Sequence, residues 1–140
     1  MKILVDTSIW SLVLRRGAKL NQDLKTELSE IIKEVRVEII GPIRQEILSG
    51  IKSTKQFKEL KFYLSSFPDL ELSTQDFEQA AEFFNLCRAK GIQGSNTDFL
   101  ICSVAVNNDL EIFTTDEDFK DFKKYVPIKL YSARFISGVY

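Results

Sequence analysis

The hydrophobic pattern changes period several times along this chain. Ile3-Leu4-Val5 is a short, wholly apolar run that stops at Asp6, and such a run predicts a strand covered on both faces. Ile9, Trp10, Leu12, Val13 and Leu14 then imply a helix, with Thr7 and Ser8 in capping position. After a break at Arg15-Arg16-Gly17, Leu20, Leu24, Leu28 and Ile31/Ile32 recur at helical spacing among polar residues, as on a surface helix. Residues 35–40 predict a second strand, ended by Gly41-Pro42, and Pro42 suits the first turn of a helix over 43–48. Residues 54–66 carry Phe57, Leu60 and Leu64 on one stripe, and Lys52, just before them, lies with Lys55 and Lys58 on another. Leu70-Glu71-Leu72 predicts a short third strand. Ser73-Thr74 caps a helix through Phe77, Ala80, Phe84 and Cys87 that ends at Gly91. Residues 97–108 form a helix whose middle is apolar nearly all round, and such a helix is buried. A strand follows over 110–115, Asp116 to Phe119 open another helix, and residues 128–131 make a last strand. Strands alternating with helices predict an α/β fold, a parallel sheet with helices on both faces.

At 140 residues, with 44% hydrophobic and 28% charged positions, the chain suits one domain with a real core, residues 1–140. The net charge of −1 supplies no global basic field for nucleic acid. The chain has no histidine, which excludes Ser-His-Asp and Cys-His hydrolysis, His-ligated zinc and a His general base. Cys87 and Cys102 form no CxxC or zinc spacing and read as small core residues. No apolar run approaches the roughly 18 residues of a membrane span, and only three apolar residues separate Lys2 from Asp6, too few for a leader. A soluble, cytoplasmic protein with no membrane partner is expected.

The placement of acids changes this bland picture. Asp6 and Asp116 each follow a short apolar strand. If those strands are neighbours where the sheet order reverses, the two carboxylates face each other across the ligand-binding edge. Asp98 stands in the first turn of the buried helix, and Glu46 about one turn into the helix after Gly41-Pro42, toward its apolar side. Both helices begin at that same edge. Asp118 is a further candidate, two residues from Asp116 and so out of phase with it on a regular helix. Two readings fit each acid. The Asp side chains can cap helices or sit with Glu46 in first turns favoured by the helix dipole. Together they can instead hold a divalent cation, which relieves their repulsion. Oxygen ligands without His or Cys favour Mg2+ or Mn2+, and the chemistry this predicts is metal-assisted phosphodiester hydrolysis.

The Asp6-Thr7-Ser8-Ile9-Trp10 stretch, Glu46 within Pro42 to Gly50, the Asp98-Phe99-Leu100-Ile101 helix and Thr114-Thr115-Asp116-Glu117-Asp118-Phe119 resemble, in order, the motifs of PIN-domain nucleases, and within them VapC-type ribonuclease toxins. The resemblance implies a three-layer α/β/α sandwich with a central, mainly parallel sheet. It implies an Mg2+- or Mn2+-dependent endoribonuclease, the toxin of a type II toxin–antitoxin pair, cutting RNA (tRNA or rRNA) with a metal-activated water. By match, Asp6, Glu46, Asp98 and Asp116 are the acidic cluster and metal ligands, Asp118 is auxiliary, and Thr7 and Thr115 orient water or substrate. A homodimer and a cognate protein antitoxin are implied as well. Arg15, Arg16 and Arg44, with Lys19 and the Lys52/Lys55/Lys58 stripe, are the basic groups available for RNA phosphates. Cys102-Ser103 is a small departure, standing where small residues such as Ala are usual, and does not touch the acid set.

Three other readings compete. A haloacid-dehalogenase-like phosphatase also places an acid after its first strand, but needs a second acid two residues on, where this chain has Ser8. A phosphate-receiver domain needs its acceptor after the third strand, where Leu72-Ser73 stand. A non-catalytic binding module is the remaining alternative, and divalent-ion binding distinguishes it from an enzyme.

Overall fold

The computed structural model describes residues 1–14 and 19–135. Among them the elements run β1 (Ile3–Val5), α1 (Thr7–Leu14), α2 (Lys19–Lys33), β2 (Val37–Glu38), α3 (Gly41–Leu48), α4 (Thr54–Leu64), α5 (Thr74–Ala89), α6 (Asn96–Asn107), β3 (Glu111–Phe113), α7 (Asp118–Phe122) and β4 (Lys129–Leu130). The sheet order is β2-β1-β3-β4, with every pair parallel. Parallel neighbours need crossovers, and right-handed crossovers running one way from β1 to β2 and the other way from β2 to β3 and from β3 to β4 cover the sheet on both faces. The order reverses between β1 and β3, so the crevice beyond their carboxyl ends is the topological switch point.

The two central strands are apolar because both faces are covered. Ile3, Leu4, Val5, Ile112 and Phe113 are fully buried. The expected burial of α6 holds: every residue from Phe99 to Ala105 is buried. Polar groups join α6 to α5, where the Ser103 hydroxyl donates to the Asp76 carbonyl at 2.7 Å and Asn107 Nδ2 donates to Asp76 Oδ1 at 2.7 Å. That gives Ser103 a structural role an alanine cannot fill. Cys87 and Cys102 are free and buried.

Three helices end alike. After α2, α5 and α6, the sixth residue donates back to the first: Arg36 N to Ile31 O, Ile92 N to Cys87 O, and Leu110 N to Ala105 O. The residue before each donor has positive φ: Val35 at 56°, Gly91 at 77° and Asp109 at 53°. This is the Schellman closure, which suits Gly and tolerates Asp. Val35 is the misfit, β-branched and 77% exposed. Here the structure departs from the expected second strand. Val35 closes α2 instead of starting β2, which is only two residues long. Val35→Gly is therefore expected to stabilise the fold by about 1 kcal/mol, the cost of the left-handed turn for an L side chain. A urea titration checks it, with a higher midpoint at unchanged slope as the expected result.

The expected third strand at Leu70 does not form. A single parallel bridge joins Ile39 and Asp69, with Leu70 N donating to Ile39 O at 2.8 Å. Pro68 has no N–H to donate before it, and Ser73 already opens the capping box of α5 after it. Only one residue pair is left for pairing.

Candidate active site

The register of β1 on β3 aligns Val5 with Phe113, and Asp6 N donates to Phe113 O at 2.9 Å. The residue opposite Asp6 is thus Thr114, and Asp116 lies two further on. Thr114 is fully buried. Its hydroxyl donates to Asp6 Oδ2 at 2.7 Å and accepts from Asp116 N at 2.9 Å, so one side chain ties the two acid-bearing turns together.

Asp6 is 7% exposed. Its carbonyl accepts from Ile9 N at 3.1 Å and begins α1, so the backbone does the capping. Its carboxylate accepts three further bonds: Thr7 N to Oδ1 at 2.8 Å, and the Ser8 and Thr114 hydroxyls to Oδ2 at 2.9 and 2.7 Å. A carboxylate has about four lone-pair sites, so one on Oδ1 stays free. Burial raises the Asp6 carboxyl above its ordinary value; the three hydrogen bonds oppose this, and the charge of Asp116 adds to it.

Asp98 is held by the capping box of α6, in which Ser95 N donates to Oδ2 at 3.0 Å and Asp98 N donates to Ser95 Oγ at 3.0 Å. Burial raises its carboxyl too, against the bonds from Ser95, and the charges of Asp116 and Asp6 raise it further. Asp116 Oδ1 accepts from Asp118 N at 2.9 Å. The Asp118 carboxyl is raised first by the charge of Asp116, then by desolvation and by Asp121. The irregular turn before α7 brings Asp118 to Asp116 despite its helical phase.

Glu46 is exposed, not turned toward the core as its apolar neighbours suggest. Only Ile43 and Ile47 of α3 are buried. The Thr7 hydroxyl donates to Glu46 Oε1 at 2.8 Å and ties α3 to the residue after Asp6. Thr115 contributes its backbone N–H, to Ser8 Oγ at 3.2 Å. Thr114 and Ser8 are thus the two hydroxyls that hold Asp6. Thr114 could have been found by aligning the two strand ends; Ser8 read only as a cap.

Three of the five Arg44 N–H donors are engaged within the fold. Its Nε pairs with Asp69 Oδ1 at 2.9 Å, Nη1 donates to Leu64 O at 2.9 Å and Nη2 to Phe67 O. Arg15, Arg16 and the side chain of Lys19 lie outside the described residues. Lys52, Lys55 and Lys58 are exposed.

No Lys or Arg nitrogen of the described residues comes within ion-pair distance of Asp6, Asp98 or Asp116. Such a set suits a hard divalent cation. Among the described residues no three acids already converge on one point. Mg2+ keeps several waters and binds directly through only one or two carboxylates. Among the described residues one oxygen each of Asp98, Asp116 and Glu46 accepts no hydrogen bond.

Residues 3–125 match the family model of the PIN domain. The fold is similar to FitAcB from Neisseria gonorrhoeae (TM-score 0.75, 19% identity, 93% of this chain and 96% of that one). It is similar to a toxin–antitoxin complex from Klebsiella pneumoniae (0.62, 21% identity, 84% and 90%). It is also similar to Mycobacterium tuberculosis VapC20, a sarcin–ricin loop cleaving toxin (0.65, 19% identity, 91% and 99%). No curated protein matches the sequence significantly. No helix among the described residues is long and apolar enough to cross a membrane.

Proposed function

This chain belongs to the PIN-domain family, and from that premise we propose that it is a divalent-metal-dependent endoribonuclease, the cytoplasmic toxin of a type II toxin–antitoxin pair. The observation that carries the reading is the placing of Asp6 and Asp116 beyond the neighbouring strands β1 and β3, tied by Thr114, with Asp98 near enough for their charges to raise its carboxyl and no Lys or Arg of the described residues in ion-pair distance of the three. Asp6, Glu46, Asp98 and Asp116 would hold Mg2+ or Mn2+, one or two of them directly and the others through its waters, with Asp118 auxiliary. The bound cation supplies Lewis-acid stabilisation and activates water for phosphodiester hydrolysis.

The protein residues have separable tasks. Thr114, Ser8 and Thr7 N fix the rotamer of Asp6 and leave one acceptor position open. The Ser95 box holds Asp98 at the head of a buried, rigid helix. Thr7 anchors Glu46, which reaches the crevice from an exposed helix face. The toxin–antitoxin neighbours support a protein antitoxin as partner, VapC20 supports RNA as substrate, and a homodimer is part of the same reading.

The test is incubation of purified chain with single-stranded and structured RNA in Mg2+, Mn2+ or EDTA, followed by mapping of product ends. Discrete new ends that require the cation are expected; intact RNA in all three conditions ends the proposal. A positioning prediction follows from Thr114. Thr114→Val keeps the volume but removes the bond to Asp6 and the acceptor for Asp116 N. Cation affinity and cleavage are expected to fall about 10- to 100-fold, as for other groups that orient ligands. Thr114→Ser restores both if the hydroxyl is what matters. Equal losses in the Val and Ser variants point to packing instead.

A further inference from the structure

The turn from α5 into α6 carries a cleft that the acid cluster does not use. It measures about 190 Å3 and is lined by Phe84, Arg88, Ile92, Gln93, Gly94 and Phe99. Its floor is rigid. Phe99 is 1% exposed, meets Phe84 edge-on at 5.5 Å and packs on Phe122 at 4.7 Å. Its far wall is backbone, pressed so closely on those rings that a Cβ at Gly94 would lie 2.6 Å from Phe122 Cζ. The rim is cationic: Arg88 is exposed and makes no ion pair among the described residues. On the same turn, Lys90 Nζ lies 5.9 Å from the Tyr125 ring centroid.

This cleft adjoins the acid site through the chain itself. Gly94 precedes Ser95, whose N–H holds Asp98, and Phe99 follows Asp98 directly, one Cα step of about 3.8 Å away. Asp98 Oδ2 is thus 3.0 Å from the backbone nitrogen of the residue after Gly94, which puts the cleft wall within a nucleotide's reach of that carboxylate. The acids themselves repel RNA, and Arg44 is engaged inside the fold, so a free cation next to the site has a task. Aromatic and aliphatic walls suit the face of a base, and a planar guanidinium suits a phosphate or stacks on the base.

Building on the nuclease reading, we infer that this cleft is a subsite for a nucleoside flanking the cut, its base against Phe84 and Ile92 and its phosphate on Arg88. Arg88→Gln removes the charge at an exposed position. Phe84→Leu keeps an apolar wall and removes the ring. Each is expected to raise KM for single-stranded RNA about tenfold with kcat within about twofold, the size of one lost stacking or charged contact. Arg88→Gln also lowers the slope of log affinity against log salt by about one, and Phe84→Leu leaves it unchanged. Binding of a fluorescein-labelled single-stranded RNA of about ten nucleotides in EDTA needs no cleavage. The same loss there upholds the cleft even if the wild type cuts nothing, which counts against the nuclease reading alone. Wild-type cleavage with unchanged KM and binding in both variants overturns the subsite. So does normal RNA handling with loss of a protein partner, which assigns the cleft to a peptide.

Discussion

Replacing Asp98 by Asn is expected to abolish RNA cleavage and at the same time raise the stability of the cation-free protein. The second half follows from the site's own physics. Asp98 is part-buried, and burial together with the charges of Asp116 and Asp6 disfavours its ionised form in the fold. Asparagine keeps an oxygen for the Ser95 N–H, so the helix start survives while the repelling charge goes. The first half follows because a neutral amide is a poor ligand for a hard cation. Cation stabilisation of the reacting phosphate contributes several kcal/mol, and at 1.36 kcal/mol per decade that is about a thousandfold in rate. A higher urea midpoint in EDTA, with cleavage lost in Mn2+, is the expected pair of results. Asp98→Asn that cuts RNA at the wild-type rate removes Asp98 from the site. Asp98→Asn that is less stable in EDTA shows that capping is its main role, since the loss then tracks the Ser95 box.

That opposition between stability and activity explains why part of the site is legible in the sequence. An acid at the end of an apolar strand, or ahead of a buried helix, contradicts the hydrophobic logic around it, and Asp6, Asp116 and Asp98 stand out for that reason. The parallel sheet and the buried α6 are likewise written in local patterns. What the sequence hides depends on contacts between distant residues. Thr114 faces Asp6 only once Val5 is registered on Phe113, and an alternating Thr-Thr pair does not say which hydroxyl turns inward. Arg44 reads as a free cation until the chain 20 to 25 residues later folds back over it. Glu46 sits beside Ile47 in sequence, yet a helical step of about 100° puts it in solvent while Ile47 is buried. Val35 looks like strand because it is β-branched, and becomes the close of α2 because Ile31 must stay in the core, with Ile32 packed against it.

The cation itself is expected to act as a pH-dependent stabiliser. The sign comes from the raised carboxyls. Unfolded, Asp6 and Asp98 titrate near the ordinary value of about 3.9; folded, both titrate higher, chiefly through burial. Below the ordinary value both states are protonated and the fold loses nothing. As pH rises from there through the folded values, the unfolded chain ionises first, and the cation-free fold loses stability. Mg2+ or Mn2+ reverses this, because it binds the ionised acids only in the fold. At a hundredfold excess over its dissociation constant it adds about 2.7 kcal/mol, which for a domain of this size is roughly 5 to 15 °C in Tm. The gain is largest near neutrality and vanishes as pH falls toward the ordinary Asp value, where protons displace the ion. The acid limb of cleavage must fall in the same window, above the ordinary Asp value. Thermal unfolding at stepped pH, with and without Mn2+, reads both curves. If the Tm of the wild type ignores the ion at neutral pH, the acids at the switch point do not hold a metal. If Asp98→Asn keeps the full shift, the ion binds elsewhere.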